Sequence, residues 1–215
     1  MPLSREAQAR EHDARARRAA SNIAKLKRAL AHNAAVLKLE RIRASRARKT
    51  VTGVTGGTRT VRWALSRVGV VERPAFSNSG PFISDWLRMS DGQPGWPWCQ
   101  AFANAGVFIG TARKVQLKSC YTPQVVDWAR NREHGLRIVS SSEAAPGDLV
   151  YFKFPGISSD FCDHVGILES KGRGVVNTIE GNTSRGNGGS QNNGGGVFRR
   201  SRPLSVVVAI VRPPY

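Results

Sequence analysis

The sequence predicts an α+β domain with a largely antiparallel sheet, preceded by a long basic α-helix. Residues 4–49 hold no Gly or Pro and are rich in Ala, Arg, Lys and Leu, helix-forming segments open the rest of the chain, and after Gly147 short β-rich runs alternate with Gly, Ser and Asn clusters. Helices first and strands afterwards indicate an α+β arrangement rather than a parallel sheet with crossover helices. The length of 215 residues fits one domain plus an appendage. Hydrophobic residues at 40% and charged ones at 22% exclude a chain disordered throughout.

The charge is uneven. The whole chain carries +18, and its first fifty residues hold 14 Lys/Arg against 4 acids. More than half of the excess sits in under a quarter of the chain, which marks residues 1–49 as a basic helical arm. Ala16, Ala19, Ile23, Leu26, Leu30, Asn33 and Leu37 recur at steps of three and four, on one stripe of that helix. The stripe fits a self-association seam or a solvated arm, and the basic surround fits polyanions. Residues 50–60 (TVTGVTGGTRT) lack large apolar side chains and are expected to form a flexible linker. The domain proper is then 61–215.

Within it, Val61, Trp63, Ala64, Leu65 and Val68 suggest a short helix ending near Gly69, and a second is expected over Pro81–Met89. The segment Trp98–Ile109 is good helix material, with Pro97 suited to the first turn and Gly110 to the stop. Strands are expected at 148–154, 164–170, 175–181, 196–200 and 206–211. The N-terminus has no apolar core of the secretory kind, and the longest aliphatic run, Val206–Val211, falls short of the roughly 20 residues that span a bilayer. A chain without an export signal of its own is the expectation.

Cys99 stands in the first turn of the Trp98–Ile109 helix. Free backbone N–H groups and the positive end of the helix dipole favour a thiolate there, and such sites bring a thiol from near 8.5 to roughly 3.5–7.5. A buried small hydrophobe is the other reading of the same position. Cys120 and Cys162 complete an odd count, too few and too scattered for a disulfide framework. Cys162 precedes His164 by two residues, but paired ligand spacings are missing, so a loop thiol is preferred to a zinc ligand. No metal or cofactor is expected.

A nucleophile needs a base. Of four histidines, His12 and His32 lie in the arm and His134 in a polar loop, which leaves His164 at the start of an apolar strand. If the hairpin joining strands 164–170 and 175–181 is centred on Gly172, His164 sits directly opposite Glu180, with Asn182 two residues on. A one-residue slip would undo this. Thiol, imidazole and orienting carboxylate are the parts of a nucleophilic acyl-transfer site.

The ordered motifs PWCQAF around Cys99, PGDLVYF at 146–152, DHVGILE around His164 and TIEGNTS at 178–184 resemble the CHAP family of cysteine, histidine-dependent amidohydrolases/peptidases. VGVVERP with SNSG upstream and GGGVFRRSRP downstream are similar to versions in phage lysins and bacterial cell-wall hydrolases, so the resemblance covers about 61–215. It implies a papain-like fold in which Cys99 attacks an amide carbonyl, His164 activates the thiol and protonates the leaving amine, and Glu180 holds His164. Asn182 matches a nearby polar residue of the family, as an orienter or an oxyanion-side group. It also implies peptidoglycan as substrate, at an N-acetylmuramoyl-L-alanine amide or a stem or cross-bridge peptide bond.

Gln93 precedes Cys99 by the six residues at which papain-like proteases place an oxyanion glutamine; a loop glutamine is the plainer reading. Trp96 and Trp98 fit either a groove lining or helix packing. Only Asp91 stands where some members bind calcium, so no calcium site is expected. Partners implied are peptidoglycan and anionic wall polymers, with an anionic membrane surface or a virion contact through the arm, and no specific nucleic acid. A host-cytoplasmic origin followed by action on the wall, or carriage on the virion, fits this reading. The competing class is a non-enzymatic polyanion-binding or structural virion protein with a degenerate hydrolase scaffold.

Overall fold

The chain divides into two units, Met1–Gly53 and Val54–Tyr215. The structure, a computed structural model, describes Asn22 and residues 55–157, 160–186 and 190–215. The arm expected over 1–49 lies, but for Asn22, outside the described residues, as do residues 50–54 of the linker.

The rest of the expected linker is not a linker. Residues 56–60 open helix α1 (Gly56–Leu65), with Thr55 as its cap: the Thr55 side chain accepts from Thr58 N–H. Gly56 and Gly57 are used for close approach rather than for freedom. A Cβ on Gly57 would stand 2.3 Å from the Pro146 carbonyl oxygen, and one on Gly56 would stand 2.5 Å from the Tyr215 ring. Thr60 fixes the same contact by hydrogen bonds to Gly106 O and Tyr215 Oη. Composition cannot distinguish a glycine that frees the chain from one that lets two segments touch.

Helices α2 (Pro81–Met89) and α3 (Cys99–Gly110) lie where expected within a residue. A fourth helix, α4 (Thr122–Arg130), was not expected from the sequence; it begins at a Thr-Pro pair and buries Val125, Val126 and Ala129. Among the described residues, six strands form one antiparallel sheet: β1 (Arg137–Ile138), β2 (Leu149–Phe152), β3 (His164–Gly172), β4 (Val175–Thr183), β5 (Gly196–Pro203) and β6 (Val207–Arg212), ordered β1-β6-β2-β3-β4-β5. The α+β class and the antiparallel sheet therefore stand. Residues 69–72 extend the β5 edge through a Val71↔Gly196 bridge.

Alternation sorts the strand residues into two clusters. Leu149, Tyr151, Val165, Ile167, Ile179 and Val211 belong to the larger core with the helices. Val150, Phe152, Leu168, Val176 and Ile210 form a smaller one with Phe154. Period-two strands feed both clusters at once.

The β3–β4 hairpin departs from the expected register. Its turn is the pair Arg173–Gly174, with Gly174 at φ 73° and Gly172 opposite Val175. Continued unbroken, that ladder would put His164 and Glu180 on opposite faces. Between Leu168 and Ser170 the register shifts, leaving Glu169 as an extra residue, and beyond it Ile167 faces Ile179. The bulge restores parity. Carried on, this register sets Gly166 against Glu180, so His164 and Glu180 are diagonal neighbours on one face rather than directly opposed.

Candidate active site

Helix α3 presents Cys99 as its first residue, where backbone N–H groups have no intrahelical partner. Trp98, its N-cap residue, is wholly buried; its indole Nε1 donates to Glu72 Oε1 at 2.9 Å, and its ring packs against Trp86. A Cβ on Gly181 would stand 2.7 Å from both Trp98 and Phe102, so this glycine lets β4 reach the base of the helix. Cys99 is 5% exposed and opens onto a cleft of about 560 Å³ shared with Trp96, Tyr121, Cys162, Asp163 and Asn193. Of the two tryptophans, Trp96 lines the cleft and Trp98 packs the helix.

His164 is fully buried at the start of β3, flanked by the rings of Phe152 and Phe154 at 6.1 and 5.8 Å. Its Nε2 is 3.0 Å from Glu180 Oε2, while Nδ1 is buried without a hydrogen-bond partner among the described residues. Burial alone would lower the imidazole's proton affinity. Its interactions with Cys99 and Glu180 outweigh that and bring it from 6.5 up to about 9. Burial would likewise raise Glu180, but His164 and Arg202 hold it down at about 2. The expected contact is therefore present, although it is made diagonally.

The other cysteines have a different character. Burial pushes the Cys162 thiol up to about 12 and the Cys120 thiol up to about 11. Both line the Cys99 cleft in the protonated, unreactive form. The spacing in sequence hid this convergence.

Asn182 makes no hydrogen bond to His164. It is fully buried with φ 57°, its Nδ2 donates to Asn193 Oδ1 at 3.3 Å, and its carbonyl accepts from Gly194 N–H. The structure thus ties Asn182 to the 190–194 loop that walls the cleft instead of to the imidazole. Gln93 is exposed in a turn, where its carbonyl accepts from Trp96 N–H, and it does not line the cleft. His134 stacks edge-on against Trp128, and His12 and His32 lie outside the described residues.

Three functional neighbours escaped the sequence. Glu72 anchors Trp98, Thr178 donates to Glu180 Oε1 at 2.6 Å, and Arg202 bonds both carboxylate oxygens. VGVVERP, TIEGNTS and GGGVFRRSRP contained all three as motif letters, but only the folded contacts assign them work.

No curated protein matches the chain. Among solved structures, the chain is similar to one titled "Crystal structure of a wild type endolysin LysIME-EF1", at 22% identity over 38% of each chain with a TM-score of 0.30. The chain thus spans well under half of that protein's length, and the likeness is too slight to carry weight. The family comparison is of another kind, because its matched span, 90–182, runs from just before α3 to the end of the Glu180–Asn182 segment and so contains Cys99 and His164. Residues 90–182 of this chain are a CHAP domain.

Proposed function

We propose that this protein is a cysteine peptidase or amidase that cuts an amide bond of bacterial peptidoglycan, as a phage endolysin or virion-associated lysin. The observation that carries the chemistry is the asymmetry of His164. Glu180 occupies Nε2, so Nδ1 is the nitrogen left to take the Cys99 proton. The thiolate then attacks the scissile carbonyl, and the Cys99 backbone N–H, at the helix N-terminus, meets the developing oxyanion. The imidazolium returns its proton to the leaving amine, and water hydrolyses the thioester. Glu180 keeps the ring oriented and stabilises its charged form.

The peptidoglycan substrate rests on the CHAP domain and on the lysin-like flanking motifs. An open cleft with Trp96 and Tyr121 exposed at its rim and Asn192 and Asn193 in its wall suits an extended peptide. Cys99→Ala is expected to lower clearing of purified cell walls at least about a thousandfold while the protein stays folded. A folded Cys99→Ala variant that still clears walls overturns the reading. Mass spectrometry of the products assigns the bond: new peptide amines within the stem or bridge indicate an endopeptidase, and release of whole stems from muramic acid indicates an amidase.

A further inference from the structure

Glu180 has no exposed surface, and all of its partners are internal. Thr178 Oγ1 and Arg202 Nε donate to Oε1 at 2.6 and 3.0 Å; Oε2 takes Arg202 Nη2 at 2.5 Å and faces His164 Nε2. Arg202 therefore spans both oxygens in the bidentate manner that fixes a carboxylate's plane. It is itself fastened: Nη1 donates to Gln191 Oε1 at 2.8 Å, Nη2 to Thr183 Oγ1 at 3.2 Å, and the guanidinium lies 4.9 Å from the Phe154 ring that flanks His164. The residue is 6% exposed. Arg199 on the same strand shows the ordinary alternative, an outward pair with Glu169. Burying a guanidinium is costly unless it is paired and hydrogen-bonded, and Arg202 is buried on the carboxylate that orients the base.

We propose that Arg202 is a positioning residue of this site: its bidentate clamp keeps Glu180 ionised and turned so that Oε2 faces His164. Arg202 lies beyond the 90–182 span of the CHAP domain. The inference rests on the reading of Cys99 as nucleophile. Without the clamp, Glu180 loses two of its four donors, its proton affinity rises, and a protonated Glu180 no longer supports the imidazolium. Thiol activation then requires higher pH. The other charged or titratable groups acting on the pair are Cys99 from α3 and Arg200 from β5, whose guanidinium donates to Gln191.

The test uses the full chain and reads the rate of Cys99 alkylation by iodoacetamide against pH, with the modified peptide resolved by mass spectrometry. Arg202→Met is expected to move the acid limb of that profile up by about one pH unit or more, a tenfold loss of reactivity at a fixed pH on the limb. Arg202→Lys keeps the charge but cannot donate to both oxygens. It is expected to give a smaller shift and a maximal wall-clearing rate about tenfold lower, with the wall concentration for half-maximal rate unchanged. A merely structural arginine would move neither limb nor maximal rate of the folded protein. A folded Arg202→Met variant with the wild-type profile overturns the inference. If Arg202→Met does not fold, Arg202→Lys with both wild-type limb and wild-type clearing overturns it. Wild-type Cys99 that alkylates no faster than Cys120 at pH 7 defeats the nucleophile reading itself, whereas a fast Cys99 with unshifted Arg202 variants defeats only the clamp.

Discussion

Along β3, Val165 and Ile167 pack into the core shared with the helices, while His164 and Gly166 face the opposite side with Leu168. β4 repeats the division, with Ile179 and Gly181 toward the helices and Thr178 and Glu180 away from them. One face is apolar and holds the domain together. The other combines a small aliphatic and aromatic cluster with a buried row of imidazole, carboxylate and guanidinium. Because neighbours in sequence fall on opposite faces, adjacent positions carry unrelated duties. Substitutions one residue apart are therefore expected to fail in different ways.

Ile167→Ala gives the largest expected effect. Ile167 is fully buried and so close to α3 that a Cβ on Gly106 would lie 2.7 Å from its Cδ1. Truncation should cost about 2–5 kcal/mol of stability, roughly 5–15 °C in Tm for a domain of this size. Wall clearing per folded molecule should stay within about twofold of wild type. Calorimetry paired with activity normalised to folded protein checks this, and a catalytic loss matching the loss of stability would erase the contrast between the faces.

Gly166→Ala, one residue away, should invert the pattern. Its Cβ would stand 2.7 Å from Glu180 Cγ and 2.9 Å from Thr178 Cβ, so the carboxylate must move. Stability should fall by about 1–3 kcal/mol, and clearing per folded molecule by about tenfold or more, since small misplacements of catalytic groups are costly. Full specific activity in the folded variant would show that Glu180 tolerates displacement.

The most specific effect is in pH dependence. Glu180, held at about 2 against an ordinary 4.5, contributes stability that is present above 4.5 and lost as pH falls through about 2. His164, held at about 9 against 6.5, contributes stability that is complete below 6.5 and lost as pH rises through about 9. Cys99, Arg202 and Arg200 are the other titratable or charged groups acting on this pair. Denaturant titrations should therefore show stability declining on both sides of the window from about pH 4.5 to 6.5. In Glu180→Gln the alkaline decline should shrink, because the carboxylate that raises His164 is gone; an unchanged alkaline decline would assign it to other groups.

Much of the site was legible before folding. Cys99 was marked by a helix start, His164 by elimination, and Glu180 by strand alternation. The Glu180 inference named the right residue through the wrong register, since the hairpin turns at Arg173–Gly174 rather than on Gly172 and the Glu169 bulge returns the parity. Bulges leave little trace in hydrophobic pattern, which is why the diagonal contact was invisible. The same limit explains Gly56 and Gly57: a Thr/Gly-rich stretch reads as a linker until the surfaces of Pro146 and Tyr215 are known. Asn182 followed from the motif, yet its partner is Asn193, supplied by a loop whose path no local rule predicts.

By itself the sequence determined which residues are able to do chemistry and which elements carry them, because caps, helix-forming segments and period-two alternation are local properties. Only the tertiary structure decided that the Glu169 bulge returns His164 and Glu180 to one face, which nitrogen of His164 is left unpartnered, and that Arg202 closes on Glu180 from another strand. Those are contacts between segments tens of residues apart, and their geometry is set by strand register and close glycine packing rather than by any pattern within a single segment.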